Sequence, residues 1–202
     1  MTAGARSHIA PSRAKAIVGL SLWVLLTAVL HRQRPDLDWR VRLMSAYGSG
    51  PYWPLARASN MSLAAAAVSV AAMTEDPVAN TLLQIAGGGL ALDAVVAMEP
   101  GSDLTARVRT VGGFIHLASA VVAFGSITLA AVRLSPGGRS PLLRCLAWGS
   151  VGGFVALILA AGPLVLRRRG GLVQRVYAAT VAAWALAYSL SREATSAIHP
   201  RT

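Results

Sequence analysis

The chain has 202 residues, of which 54% are apolar and only 13% charged, yet its formal net charge is +11. That charged fraction is about half of what globular domains carry; with a mean hydropathy of +0.54, it excludes a disordered chain and argues against a soluble one. Cys145 is the only cysteine, which excludes a disulfide scaffold, so long apolar runs punctuated by arginine describe a polytopic membrane protein.

A hydrocarbon core about 30 Å thick calls for roughly 20 helical residues. The first predicted span covers 16–30; it is short, but Lys15 can reach the interface on its methylene stem. Its length also suits a secretory signal, yet no small-x-small cleavage site follows it, so it reads as a retained anchor. Further spans are predicted over 54–73, 78–98, 109–132, 142–166 and 172–190. Residues 1–202 therefore read as a single all-α membrane domain, a bundle of six transmembrane helices with short loops, multi-pass in the cell membrane.

Small residues let helices approach where lipid supplies no hydrophobic drive. Gly149 and Gly153 at GxxxG spacing, Gly87-Gly88-Gly89 and Gly112-Gly113 predict such contacts, and Pro163 predicts a kink in the fifth span. Six spans put eight Lys and Arg on the side of the termini and eleven on the other, which leans toward termini facing out. The Arg167-Arg168-Arg169 cluster fixes orientation or meets anionic headgroups. With no aromatic ladder between the arginines, nucleic acid is not an expected partner despite the basic pI; membrane lipids are. HxxxH, HExxH, CxxC, GxSxG, a Walker loop and a dinucleotide fingerprint are all absent, so no metal or cofactor is expected.

The polar minority collects on the side opposite the termini. His31, Asp36, Asp38, Ser45, Tyr47, Tyr52, Glu99, Asp103 and Arg175 fall there, with Asp93 and His116 inside the third and fourth spans. Asp93 lies about 7.5 Å before the expected end of its helix and His116 about 10 Å past the start of the next. These antiparallel neighbours share a loop, so the two side chains meet at similar depth. A buried carboxylate needs a partner, and His116 is the natural one, with Arg107 and Arg109 as competitors. The pair has three readings: a hydrogen bond tying two helices, an imidazole oriented for acid–base work or ligand binding, or a proton path.

The run HRQRPDLD (His31 to Asp38), then SAYGSGPY (Ser45 to Tyr52), EPGSD (Glu99 to Asp103), GGFIH ending at His116, and GLVQR (Gly171 to Arg175) resembles the ordered motifs of a bacterial membrane family, domain of unknown function 998. The likeness runs over about residues 16 to 192. It implies a six-helix fold and a polar cluster of His31, Asp38, Ser45, Tyr47, Asp103, His116 and Arg175, but no reaction. Gln174 stands where the family usually carries Glu, and Asp93 matches no family position.

The leading expectation is a membrane-embedded enzyme or binder acting on a lipid or isoprenoid-like amphiphile, for example an acid–base cyclase or transferase. His116 would be the acid or base, oriented by Asp93 or Asp103. His31, Asp38, Ser45, Tyr47 and Arg175 would bind substrate, with Arg175 taking a phosphate or carboxylate. The alternatives are a non-catalytic structural or assembly subunit and, third, a small transporter or proton channel. Oligomeric state is not written in the sequence.

Overall fold

The computed structural model describes residues 3–96, 110–137, 140–161 and 169–198, with the side chains of 3–9, 161 and 192–198 left aside. Six helices follow one another: α1 (Ala3–Gln33), α2 (Trp53–Ala71), α3 (Pro77–Val95), α4 (Val111–Leu134), α5 (Pro141–Ala161) and α6 (Gly170–Ile198). No strand occurs among the described residues. The chain is an all-α integral membrane bundle, and α1, α3, α4 and α5 each contain a stretch long and apolar enough to cross a bilayer. The other two are less apolar because their motif-side ends carry polar residues: Arg57, Ser59, Asn60 and Ser62 on α2, Gln174 and Arg175 on α6.

Several helix ends differ from the sequence expectation. Helix α1 runs well beyond its apolar core at both ends, and its apolar stretch, Ala10–Gln33, is about 36 Å long. Helix α3 stops at Val95 rather than 98, because Val96 turns extended (φ −97°, ψ 108°) and its carbonyl faces α4. Helix α4 begins after Thr110, whose hydroxyl accepts the Gly113 N–H at 3.0 Å. Asp93 and His116 therefore sit nearer their helix ends than expected, about 3 Å and 7.5 Å from them. The expected Pro163 kink and the Arg167–Arg168 part of the basic cluster lie outside the described residues.

At the opposite face, Asp76 caps α3. Its Oδ1 accepts the Val78 and Ala79 N–H groups at 3.0 and 2.9 Å, and Pro77 occupies the first turn, where a missing N–H does no harm. Arg133 at the end of α4 donates through Nε to both carboxylate oxygens, at 2.8 and 2.9 Å.

The first four helices pack as successive antiparallel neighbours, and α5 packs on α6; the two groups meet more sparsely, through α4–α5 and α1–α6. Small residues carry the closest approaches. A methyl at Gly89 would stand 2.9 Å from the Ser119 carbonyl, one at Gly19 2.8 Å from that of Ser62, and one at Gly153 3.1 Å from Tyr177. Gly87 and Gly89 of the α3 triplet and both members of the GxxxG pair, Gly149 against Thr180 and Gly153 against Tyr177, are packing contacts as expected, whereas Gly88 faces open space. Gly112 has nothing closer than 3.8 Å and is not a packing contact.

The half of the bundle near the termini is solid. Val70, Met73, Ala79, Leu83, Ala130, Ala131, Trp184 and Tyr188 are buried there, and the Trp184 indole N–H donates to Ser135 at 3.1 Å. The outer surface presents Leu22, Leu25, Val122, Leu129, Val155 and Leu159, as a lipid-facing surface should. The other half encloses a cavity.

Candidate functional site

The 34–53 connection is folded back over the motif-side end of the bundle. Asp38 starts its turn: Oδ1 accepts the Arg40 N–H at 2.9 Å, and its carbonyl accepts Val41 and Arg42 N–H at 3.1 and 2.8 Å. The Arg40 and Val41 carbonyls then accept the Leu172 and Gly171 N–H groups, satisfying donors that the first turn of α6 cannot pair internally. Gly171 is required at this crossing, since a methyl there would stand 2.6 Å from the Trp39 carbonyl. The chain continues through two short 3-10 turns, Met44–Gly48 and Gly50–Tyr52, into α2.

Arg175 locks this connection to α6 and α1. Its Nη1 donates to the Arg42 and Gly171 carbonyls, each at 2.8 Å, while Nε and Nη2 meet His31 Nε2 at 2.9 and 2.6 Å. His31 Nδ1 faces the Thr27 carbonyl at 2.7 Å. A carbonyl can only accept, so Nδ1 carries the proton and Nε2 receives the guanidinium. The Tyr47 ring stacks on His31, 4.2 Å between centroids, with Arg175 5.1 Å over its face. The Tyr47 hydroxyl donates to the Leu37 carbonyl at 2.9 Å, and burial pushes the phenol above its ordinary value, Arg175 pulling the other way. At the rim, Arg34 holds Asp36 through Nε and Nη2, at 3.0 Å each, which keeps that carboxyl below the ordinary range.

Beneath this connection lies a cavity of about 380 Å³, within the range of small-molecule sites. All six helices contribute to its wall. On α4 it extends from Gly113 to Phe124, about 16 Å along the helix. Its inner end is apolar, with Trp23, Leu63, Leu90 and Phe124; polar residues gather toward the motif side, among them Ser45, Asn60, Asp93, His116 and Gln174. Tyr177 closes the structure behind Phe124, donating its hydroxyl to the Phe124 carbonyl at 2.8 Å.

Asp93 and His116 do come together, though not as a direct hydrogen-bonded pair. Asp93 Oδ1 accepts the Ser119 hydroxyl, and His116 Nδ1 stands 3.7 Å from the same oxygen. The His116 Nδ1–H is directed instead to the Val96 carbonyl at 2.9 Å. Both side chains are buried and both line the cavity.

Five of the eight expected site residues, His31, Ser45, Tyr47, Asp93 and His116, thus line one cavity. The polar atoms of His31 and Tyr47 are engaged elsewhere. Arg175 and Asp38 are not in its wall: the first lies behind His31, and the second is an exposed turn residue. Asp103 lies outside the described residues, as do the competitors Arg107 and Arg109. Sequence reasoning missed Ser119, three residues from His116 on the same helix face, and Asn60, one residue from the Ser59 that meets Thr27 at 3.1 Å. It also assigned no task to Gln174, whose Oε1 accepts the Met44 N–H at 2.7 Å and so fixes the 44–48 turn. A glutamate there could make the same bond. No cluster of three or more His, Cys, Asp or Glu suited to a metal occurs among the described residues.

The ordered motifs, the six helices and the polar end of the bundle define a class of small polytopic membrane proteins. The family described as "Protein of unknown function (DUF998)" matches residues 17–191, and the chain belongs to it. No curated protein and no solved structure matches it.

Proposed function

We propose that the protein is a bacterial cell-membrane protein that binds a lipid or isoprenoid-like amphiphile in this cavity and acts on it through His116 and Asp93. The carrying observation is the cavity itself, with an apolar inner end and polar groups toward the membrane face. That polarity matches an amphiphile and suits neither a soluble metabolite nor an ion path. Leu117 and Val121 of α4 and Ile158 of α5 line the cavity and are exposed. A lipid chain can therefore enter sideways where α4 and α5 meet sparsely.

His116 supplies the acid–base group. With Nδ1–H held by the Val96 carbonyl, Nε2 is the nitrogen that exchanges a proton with a ligand. Asp93, 3.7 Å from Nδ1, favours the imidazolium that forms. A cavity beside a polar cluster, in a bundle whose other end buries Val70, Leu83, Trp184 and Tyr188, supports a binding role over a purely structural one.

The test is ligand capture. Protein in nanodiscs is incubated with a total bacterial lipid extract, recovered, and its lipids identified by mass spectrometry. Wild type should enrich one amphiphile over bulk lipid, and Ala178→Phe, which fills the cavity wall, should lose it. A changed mass that appears with wild type and not with His116→Ala would mark turnover. Recovery of bulk lipid alone from wild type would refute the reading.

A further inference from the structure

The Asp93–His116 part of the cavity wall presents acceptors. His116 directs Nδ1–H to the Val96 carbonyl at 2.9 Å, so the neutral ring turns a lone pair outward on Nε2. Asp93 takes the Ser119 hydroxyl on Oδ1, and Oδ2 has no hydrogen-bond partner among the described residues. His116 Nε2 has none among them either. Both residues are more than nine-tenths buried, at 4% and 7% exposure, and both line the cavity. The atoms that these two residues leave unbonded are acceptors, so the site is complementary to a donor.

Charge points the same way. No arginine or lysine lines the cavity among the described residues, and Arg175, behind His31, is tied to His31, Arg42 and Gly171. A carboxylate or phosphate headgroup would be brought next to Asp93 in a medium that screens poorly. Ser45, Asn60 and Gln174, elsewhere in its wall, offer neutral hydroxyl and amide groups.

Building on the amphiphile reading above, we infer that the ligand of this cavity is a long-chain alcohol or a lipid with a free hydroxyl, which it donates to Asp93 and His116, and that anionic headgroups are rejected. This reverses the sequence-based expectation of a phosphate or carboxylate on Arg175.

A matched set of diazirine-tailed long-chain probes tests it: the alcohol, its methyl ether, the carboxylic acid and the monophosphate. Each is photolysed with wild-type protein in nanodiscs, and labelled positions are mapped by mass spectrometry. The alcohol should label the α4–α5 wall of the cavity roughly tenfold more than the ether or either anion. Equal labelling by the ether, or stronger labelling by an anion, would overturn the donor assignment and leave the amphiphile reading standing. Labelling of the cavity by none of the probes would remove both. In His116→Phe, which keeps a ring but no nitrogen, the advantage of alcohol over ether should fall, with thermal unfolding used to verify the fold. An undiminished advantage in folded His116→Phe would contradict the role given to Nε2.

Discussion

Asp93 stays inside the bundle because Ser119 donates to it and His116 stands beside it. Removing the hydroxyl in Ser119→Ala strips a buried carboxylate of that bond, and should cost about 1–3 kcal/mol, read as a lowered Tm in detergent. Asp93→Asn keeps an acceptor for Ser119 without a charge to desolvate, so its loss should be the smaller. Equal losses would mean that Ser119 does not serve the charge. The pair itself was legible in the sequence, since an acid and a histidine inside apolar spans must find partners. Ser119 was not, because serine among alanines and glycines reads as ordinary helix packing. The role of Arg175 also escaped, because charge alone does not distinguish an arginine facing a ligand from one whose donors hold backbone carbonyls.

At the scale of elements, the 34–53 connection is secured to α6 by the fork of Arg175. Lysine keeps the charge but cannot reproduce the fork. Arg175→Lys should cost about 2 kcal/mol and speed amide exchange in the connection, measured by hydrogen–deuterium exchange; unchanged exchange there would contradict the assignment. At the other face, Arg133 and then the Ala79 N–H hold the Asp76 carboxyl below its ordinary range. A group lowered in the folded state stabilises above its unfolded value and loses that contribution as pH falls through the lowered one. The gap in Tm between wild type and Arg133→Ala should therefore be open at neutral pH and close below pH about 4. A gap independent of pH would exclude the ion pair as its source. Helix number and order were readable from the apolar runs. Helix ends were not, because they depend on caps such as Thr110 and on the Val96 carbonyl turning to a side chain of the next helix.

At the scale of the molecule, the bundle has a packed half and an open half. The sequence showed which end is polar, but not that this end encloses space, because vacancy results from how six helices splay and no residue type encodes it. The chain carries its own probes for this division. Trp23 lines the cavity, Trp184 is fully buried in the packed half, and Trp148 is exposed on the outer surface. Single-tryptophan variants, the other four replaced by Phe, can be titrated with a brominated long-chain alcohol, whose bromine quenches indole fluorescence on contact. Trp148 should be quenched without saturation and Trp184 not at all. Trp23 should be quenched saturably, and Ala178→Phe should abolish the effect. If Trp23 is quenched no more than Trp184, no chain enters the cavity, and the central claim fails.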